Sequence, residues 1–400
     1  MNKLLTPLLA TLLCATLVNA EEKISGYNLD QPNSTRLNAE DPTKDSWKDM
    51  RDFSKDNRPA GPINVQRQKK GWAYQGIPTF FHQPIALTPE DLKVGKVDVA
   101  IMGASLDMSV GRRGAAYGPL AVRGLTAEYY PWGVPMINTH SGLDPFSVLS
   151  IVDYGDAPID PMSTERSINP IRDMVTEIAK TGTIPFIVGG DHSLMYVNGS
   201  GLADVHGKGS FGVVHFDAHP DAEEVFNGHY LSHGAPVRRL IEEGHVKGEN
   251  YIQIGIRSNT TRELIEWSYK QKIQYHYMGE IHKRGWAAVE KDVLAEAKKL
   301  DKIYISVDLD ALEPSYAPGM GTPEPDGMTP RELLPIIRKL CTQNNVIGFD
   351  VVELNPLVDV SEMSALMANR VMRSCLAGLA LRKKGITDPN YEDPMYIKHY

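Results

Sequence analysis

The chain has 400 residues, 42% of them hydrophobic, and carries 42 Lys and Arg against 50 Asp and Glu for a formal charge of −8. That apolar content suffices for a sizeable core, and no internal repeat or low-complexity tract interrupts it. An acidic balance with no basic stripe excludes a nucleic-acid-binding surface and suits attraction of a small cation.

Residues 1–20 read as a secretory signal peptide, with Lys3 as the positive start, an apolar stretch from Leu4 to Val18 and a small-residue cleavage pattern at Val18-Asn19-Ala20. The apolar stretch is too short to span a bilayer. The expected mature protein therefore begins near Glu21, has no membrane anchor and works in the periplasm or is secreted. Removing the single charge of Lys3 takes the formal charge from −8 to −9. Residues 21–90 form a polar N-terminal extension or arm, rich in Asp, Lys, Asn and Pro as far as about Lys70. A catalytic domain over 91–385 and a C-terminal tail over 386–400 follow.

Within that domain, apolar runs occur at Val97 to Met102, Val148 to Val152, Ile184 to Val188, Phe211 to Phe216, Tyr251 to Ile256, Ile273 to Tyr277, Ile303 to Val307 and Val346 to Val352. Helix-like segments separate them at Asn169 to Lys180, Leu231 to Glu243, Thr261 to Lys270, Ala287 to Lys299, Pro330 to Thr342 and Ser361 to Leu381. Thr329-Pro330 with Glu332 behind it reads as an N-cap with Pro at the first helical position. This alternation predicts an α/β three-layer sandwich whose mainly parallel sheet has roughly eight strands. Cys341 and Cys375 both fall in helix-like segments, so a disulfide and two packed thiols stay open. Asn33, Asn198 and Asn259 stand in glycosylation-type triplets.

Three of the apolar runs end in chemistry. Asp217-Ala218-His219-Pro220-Asp221 follows one, Asp308-Leu309-Asp310 another, and Gly189-Gly190-Asp191-His192-Ser193 a third. Alternate residues of extended chain share a side, so Asp217, His219 and Asp221 converge, as do Asp308 and Asp310. With His192 they make a candidate metal-ligand set. Four carboxylates and two imidazoles exceed what one tetrahedral zinc needs and suit two cations of the Mn²⁺, Ni²⁺ or Fe²⁺ kind. A water bridging two such cations is acidified and becomes a nucleophile at neutral pH. Asp191 reads instead as a cap for a helix beginning near Ser193. His215 lies deeper in its strand and reads as a histidine packed behind the ligands or in the core rather than as a ligand. His206, His229, His245, His276 and His282 have no partner at ligand spacing and default to solvent or loop roles.

The motifs just quoted, with Pro318-Gly-Met-Gly-Thr-Pro323 and Val352-Glu353-Leu-Asn-Pro356, resemble those of the ureohydrolases, the family of arginase, agmatinase and related amidinohydrolases. The similarity runs from about Val97 to Leu381. It implies the arginase-like version of the predicted sandwich, two metal ions, usually manganese with nickel as a rival, and a homotrimer or homohexamer. It implies metal ligation by His192, Asp217, His219, Asp221, Asp308 and Asp310. His233 resembles the histidine that passes a proton to the leaving amine, and Glu353 the carboxylate that grips the guanidinium, with Asp221 doubling as a catalytic carboxylate.

Resemblance thus points to hydrolysis of a guanidino compound to urea and an amine, with agmatine as the leading substrate. Free guanidine, with nickel, is the main rival. Guanidinobutyrate follows, with Arg238 or Arg239 as partner for its carboxylate. An arginase-fold deacetylase and a non-catalytic metal or guanidine binder are further alternatives. Candidate contacts to the substrate tail are Tyr129, Tyr130, Trp132, Glu223, Glu224 and Asn227. Ala116, Met320 and Glu313 depart from the common agmatinase pattern, which bears on the substrate rather than on the metal ligands.

Overall fold

Each of the eight apolar runs becomes a strand, and all eight strands pair in parallel. The computed structural model describes residues 58–67, 75–125, 137–226 and 228–397, all within one unit, Phe53–Tyr400. The signal peptide and residues 21–57 lie outside the described residues, as do Tyr129, Tyr130, Trp132 and Asn227.

In chain order the elements are α1 (Pro89–Val94), β1 (Val99–Ala104), α2 (Gly118–Leu125), α3 (Pro145–Val148), β2 (Ile151–Asp156), α4 (Thr164–Lys180), β3 (Ile184–Gly189), α5 (Leu194–His206) and β4 (Gly212–Phe216). They continue as α6 (Pro236–Glu242), β5 (Tyr251–Ile254), α7 (Arg262–Gln271), β6 (Gln274–His276), α8 (Met278–Arg284), α9 (Trp286–Ala297), β7 (Ile303–Asp308), α10 (Pro330–Gln343), β8 (Val346–Val352), α11 (Met363–Lys383) and α12 (Pro394–Ile397). The strand order is β2-β1-β3-β8-β7-β4-β5-β6.

Alternation along the strands divides the core in two. Val99, Ile101, Phe186, Val188, Ile305 and Phe349 face α9, α10 and α11, whereas Ala100, Met102, Ile187, Val213 and Tyr304 face α4, α5 and α6. Both faces of the sheet are therefore covered, which is why its strands read as continuous apolar runs. At the β2 edge the residues before α1 run alongside the strand, Ala86 N donating to Asp153 O (2.9 Å) and Asp153 N to Pro84 O (2.9 Å). That pairing shields an exposed edge, and Arg58 anchors the same segment on the buried Asp91 (2.5 Å).

Several local expectations hold, and others need correction. Glu332 Oε2 accepts from Thr329 N (2.7 Å) with Pro330 at the start of α10, as the sequence implied. The run Val148 to Val152 shifts, because Asp144 caps a short helix over Pro145–Val148 and β2 starts only at Ile151. His276 and His245 are buried rather than solvent-facing; His276 lies in β6, while His245 lies in the loop after α6 as the default allowed. His276 sits between Glu296 (3.0 Å) and Glu280 (3.2 Å); burial opposes its charge, yet the two carboxylates raise its pKa above the ordinary value. Asn198 is fully buried, which removes it as a glycan acceptor.

Cys341 and Cys375 form a disulfide that ties α10 to α11 across 34 residues of chain. In the chain-entropy picture, a closed loop of that length stabilises the fold by about 4 kcal/mol. The double substitution to Ala should lower unfolding free energy by about that amount in urea titration, and an unchanged midpoint would show the bond to be dispensable.

Candidate metal centre

The four central strands, β3, β8, β7 and β4, lie side by side and deliver the site from their C-terminal ends, the usual ligand position in a parallel sheet. His192 follows β3, Glu353 follows β8, Asp308 closes β7 with Asp310 in the turn beyond it, and Asp217, His219 and Asp221 follow β4. Gly190 permits the approach at the end of β3, since a Cβ there would sit 1.6 Å from Leu106 O.

Two groups of donor atoms form around one carboxylate. His192 Nδ1 lies 3.0 Å from Asp217 Oδ2, 2.9 Å from Asp221 Oδ2 and 3.2 Å from Asp308 Oδ2. His219 Nδ1 lies 2.9 Å from Asp310 Oδ2 and 3.6 Å from Asp217 Oδ1. Asp217 thus presents one oxygen to each group. All six residues expected as ligands meet here, and the turn after β4 is bent to bring Asp221 in, with φ at 48°.

Short distances alone would suggest ion pairs, but His192 Nδ1 makes no hydrogen bond to any of its three carboxylate neighbours. His192 Nε2 contacts Ser306 Oγ (3.0 Å), which donates to Asp350 Oδ1 (2.7 Å). A hydroxyl engaged that way accepts from Nε2–H, the tautomer that leaves Nδ1 free to ligate. Imidazole plus hard carboxylate oxygens fit divalent cations of the manganese or nickel kind.

Charge within the cluster is unbalanced in the chain alone. Burial first, then Asp310 and Asp217, push the Asp308 carboxyl well above the carboxylate range, and burial with Asp217 raises Asp310. Burial works against charge on the histidines too, but neighbouring carboxylates overcome it, raising His192 well above its ordinary value and His219 to about 12. For Asp217 burial is outweighed by His192 and His215, which hold it well below the ordinary range. Protons are being bound where positive charge is needed.

An open pocket of about 140 Å³ overlies the cluster, lined by His192, His219, Asp221, Asp308, Glu353 and His233 together with Glu223 and Phe226. Glu353, at φ 61°, is fixed by one oxygen, Oε1 accepting from His192 N (2.9 Å). Its Oε2 and His233 Nδ1 are buried without a partner. Burial first, then Asp308 and Asp191, push the Glu353 carboxyl well up. Asp191 stays structural as expected: its Oδ1 accepts from Ser193 N (3.0 Å) and its Oδ2 from Met108 N (2.6 Å).

Other expectations do not survive. Arg238 donates to Ala222 O (2.9 Å) and packs on Trp267, while Arg239 donates to Glu224 O (3.0 Å) and packs on Tyr230. Both are committed to the frame and neither lines the pocket. Glu224 is exposed, 3.8 Å from Arg238, and is also absent from the lining. Sequence reading assigned no role to Asp350, whose one signal was a carboxylate inside an apolar strand. Ser258, Asn259 and Thr260, beyond β5, also line the pocket and were missed; nothing in their types marked them.

Residues 97–378 match the model of the arginase family. The mitochondrial guanidino acid hydrolase of Homo sapiens is 34% identical over 327 residues, 81% of this chain and 87% of that protein. The mitochondrial agmatinase of Gallus gallus is 32% identical over 306 residues, 76% of this chain and 86% of that one. Among solved structures, a hypothetical agmatinase from Burkholderia thailandensis superposes with a TM-score of 0.70 at 29% identity, covering 82% of this chain and 99% of that one.

Asp350 also accepts from Asn198 Nδ2 (2.7 Å) and from the Tyr304 hydroxyl. Asp350→Ala strips three buried donors of their acceptor, at about 1–3 kcal/mol for each group left unsatisfied. Denaturant unfolding should show a loss of at least about 3 kcal/mol, and a loss near zero would mean that the network contributes nothing.

Proposed function

The chain belongs to the arginase family and is a hydrolase of amidine C–N bonds in guanidino compounds, and from that premise we propose that it cleaves agmatine to urea and a diamine. The observation that carries the substrate is the charge of the pocket wall. Among the described residues it holds the carboxylates of Glu353 and Glu223 beside those of Asp221 and Asp308 in the donor cluster, and no Lys or Arg. A guanidinium at one end and an ammonium at the other match such a wall. A guanidino acid would bring its carboxylate toward Glu223 with Arg238 and Arg239 turned away. The relatives leave the choice open, because a guanidino acid hydrolase and an agmatinase stand at nearly equal identity, 34% and 32%.

Two divalent cations, manganese first and nickel as the rival, would be held by His192, Asp221 and Asp308 and by His219 and Asp310, with Asp217 shared, and would supply a water acid enough to act as nucleophile. Glu353 Oε2, buried and unpartnered, accepts guanidinium N–H groups in charge-assisted hydrogen bonds. Its raised affinity for protons reflects a need for positive charge that the guanidinium meets. Asp221, on the same wall, offers a carboxylate oxygen for the proton that the water gives up. His233, whose Nδ1 is buried and unpartnered in the pocket, donates a proton to the departing amine nitrogen. Glu223 at the mouth orients the tail ammonium. Export to the periplasm or beyond, and assembly into a homotrimer or homohexamer, complete the reading and rest on the N-terminal sequence and the family resemblance.

Urea release by the protein from Glu21 onward, loaded separately with Mn²⁺ and Ni²⁺, should be fastest with agmatine. Turnover confined to guanidine or guanidinobutyrate would overturn the substrate assignment. Glu223→Gln should raise the KM for agmatine about fivefold, the worth of one partly exposed charge pair, and leave guanidine hydrolysis unchanged. Glu353→Gln should keep the metal content and cut kcat/KM about 100-fold, since a buried hydrogen bond to a charged group is worth about 1.5–3 kcal/mol. Normal kinetics in that variant would place the guanidinium elsewhere.

A further inference from the structure

Asp217 presents one oxygen to each donor group, so what fixes its carboxylate helps to fix how the two groups sit relative to each other. Its Oδ1 accepts from His219 N (2.6 Å) on the side of His219 and Asp310. Its Oδ2 faces His192 and also lies 2.8 Å from His215 Nε2. His215 is fully buried one pleat back along β4. Its other nitrogen, Nδ1, lies 2.9 Å from the hydroxyl of Tyr251 on the neighbouring strand β5.

Hydrogen-bond accounting settles who donates. Asp217 Oδ2 accepts only, so His215 Nε2 must carry a hydrogen. A neutral ring then has its lone pair on Nδ1, and the Tyr251 O–H donates to it. Burial pushes the Tyr251 hydroxyl well above its ordinary pKa, so that donor keeps its proton. The relay runs Tyr251 O–H to His215 Nδ1, then His215 Nε2–H to Asp217 Oδ2. It takes up one lone-pair direction of that oxygen and leaves the other turned toward His192. His215, with His192 and Asp217, could instead be taken for a metal-holding trio by proximity alone. The relay argues against that, because Nε2, the nitrogen facing the cluster, is occupied by its hydrogen.

We propose that His215, oriented by Tyr251, is a positioning residue that locks the shared carboxylate of Asp217 so that two cations can be held as a coupled pair. The proposal rests on the two-cation reading above. Loss of the lock frees Asp217 to rotate about its terminal torsion, which weakens whichever group it turns away from while the other keeps its remaining ligands. Partners that orient metal ligands are typically worth about 10–100-fold in metal affinity.

The test is Mn²⁺ titration followed by calorimetry and electron paramagnetic resonance, with thermal unfolding as the check on folding. Wild type should bind two Mn²⁺ and show the spin-coupled signal of a close pair. His215→Leu should weaken one Mn²⁺ by at least about tenfold and give the signal of isolated ions at intermediate metal. His215→Gln, whose amide nitrogen can reach the place of Nε2, should restore the coupled signal. Tyr251→Phe should fall between, and it decides the matter if His215→Leu fails to fold. A coupled pair of unchanged affinity in His215→Leu, or in Tyr251→Phe when His215→Leu does not fold, overturns the proposal with the two-cation reading intact. Equal weakening in His215→Leu and His215→Gln also overturns it, because His215 would then be a ligand. Fewer than two Mn²⁺ in wild type overturns the two-cation reading and this inference with it.

Discussion

Asp217, Asp221, Asp308 and Asp310 are all buried at the ends of adjacent strands, with three imidazoles, those of His192, His215 and His219, within reach of the four carboxylates. Buried carboxylates so close cannot all ionise unless positive charge joins them. The rest of the structure follows from that constraint. A parallel sheet covered on both faces supplies the rigid ends, and the central position of β3, β8, β7 and β4 lets four strand ends address one volume. Cations would turn the repulsion into cohesion, so metal affinity and fold stability are linked at this site.

Around the cluster lies a layer of buried polar groups whose job is direction. Asp350 holds Ser306, and Ser306 holds His192. Arg257 reaches the carbonyls of Asp310 (2.7 Å) and Leu312 (3.2 Å), pinning the turn that carries Asp310. The Gln253 side chain holds His219 O (2.7 Å). Backbone strain reaches the same place. Asp221 at φ 48° and Glu353 at φ 61° adopt a conformation that side chains with a Cβ avoid. In both, the unusual turn brings a carboxylate to the pocket, so the strain is spent where chemistry is needed. Glu353 Oε2 and His233 Nδ1 are among the pocket-wall atoms that stay unpartnered, and a guanidinium and its leaving nitrogen are the complementary chemistry.

Much of this was legible in the sequence because a doubly covered parallel sheet writes itself as apolar runs, and its ligands stand where those runs stop. Helix α6 shows where legibility ends. Its apolar pattern starts at Leu231, yet the helix begins only at Pro236, since the preceding residues serve the site loop that carries His233. Helices α1, α2 and α8 are too short for a periodic signal. Asp350 and His215 were hidden for another reason. Each is a polar residue inside an apolar strand, and only the partners brought by other strands, Ser306 and Tyr251, tell a relay from a packed core residue. His276 looked isolated because Glu296 meets it only through the fold, whereas His245 had Glu243 two residues before it and that pairing was overlooked. Cys341 and Cys375 needed the side-by-side packing of α10 and α11 before a bond could be inferred.

The most direct test of the charge argument is a crystal of the Mn²⁺-loaded protein measured at the manganese absorption edge. Two anomalous peaks about 3.5–4 Å apart are expected, one beside His192 and Asp221 and the other beside His219 and Asp310, with Asp217 touching both. A single peak, or peaks away from these residues, would contradict the account.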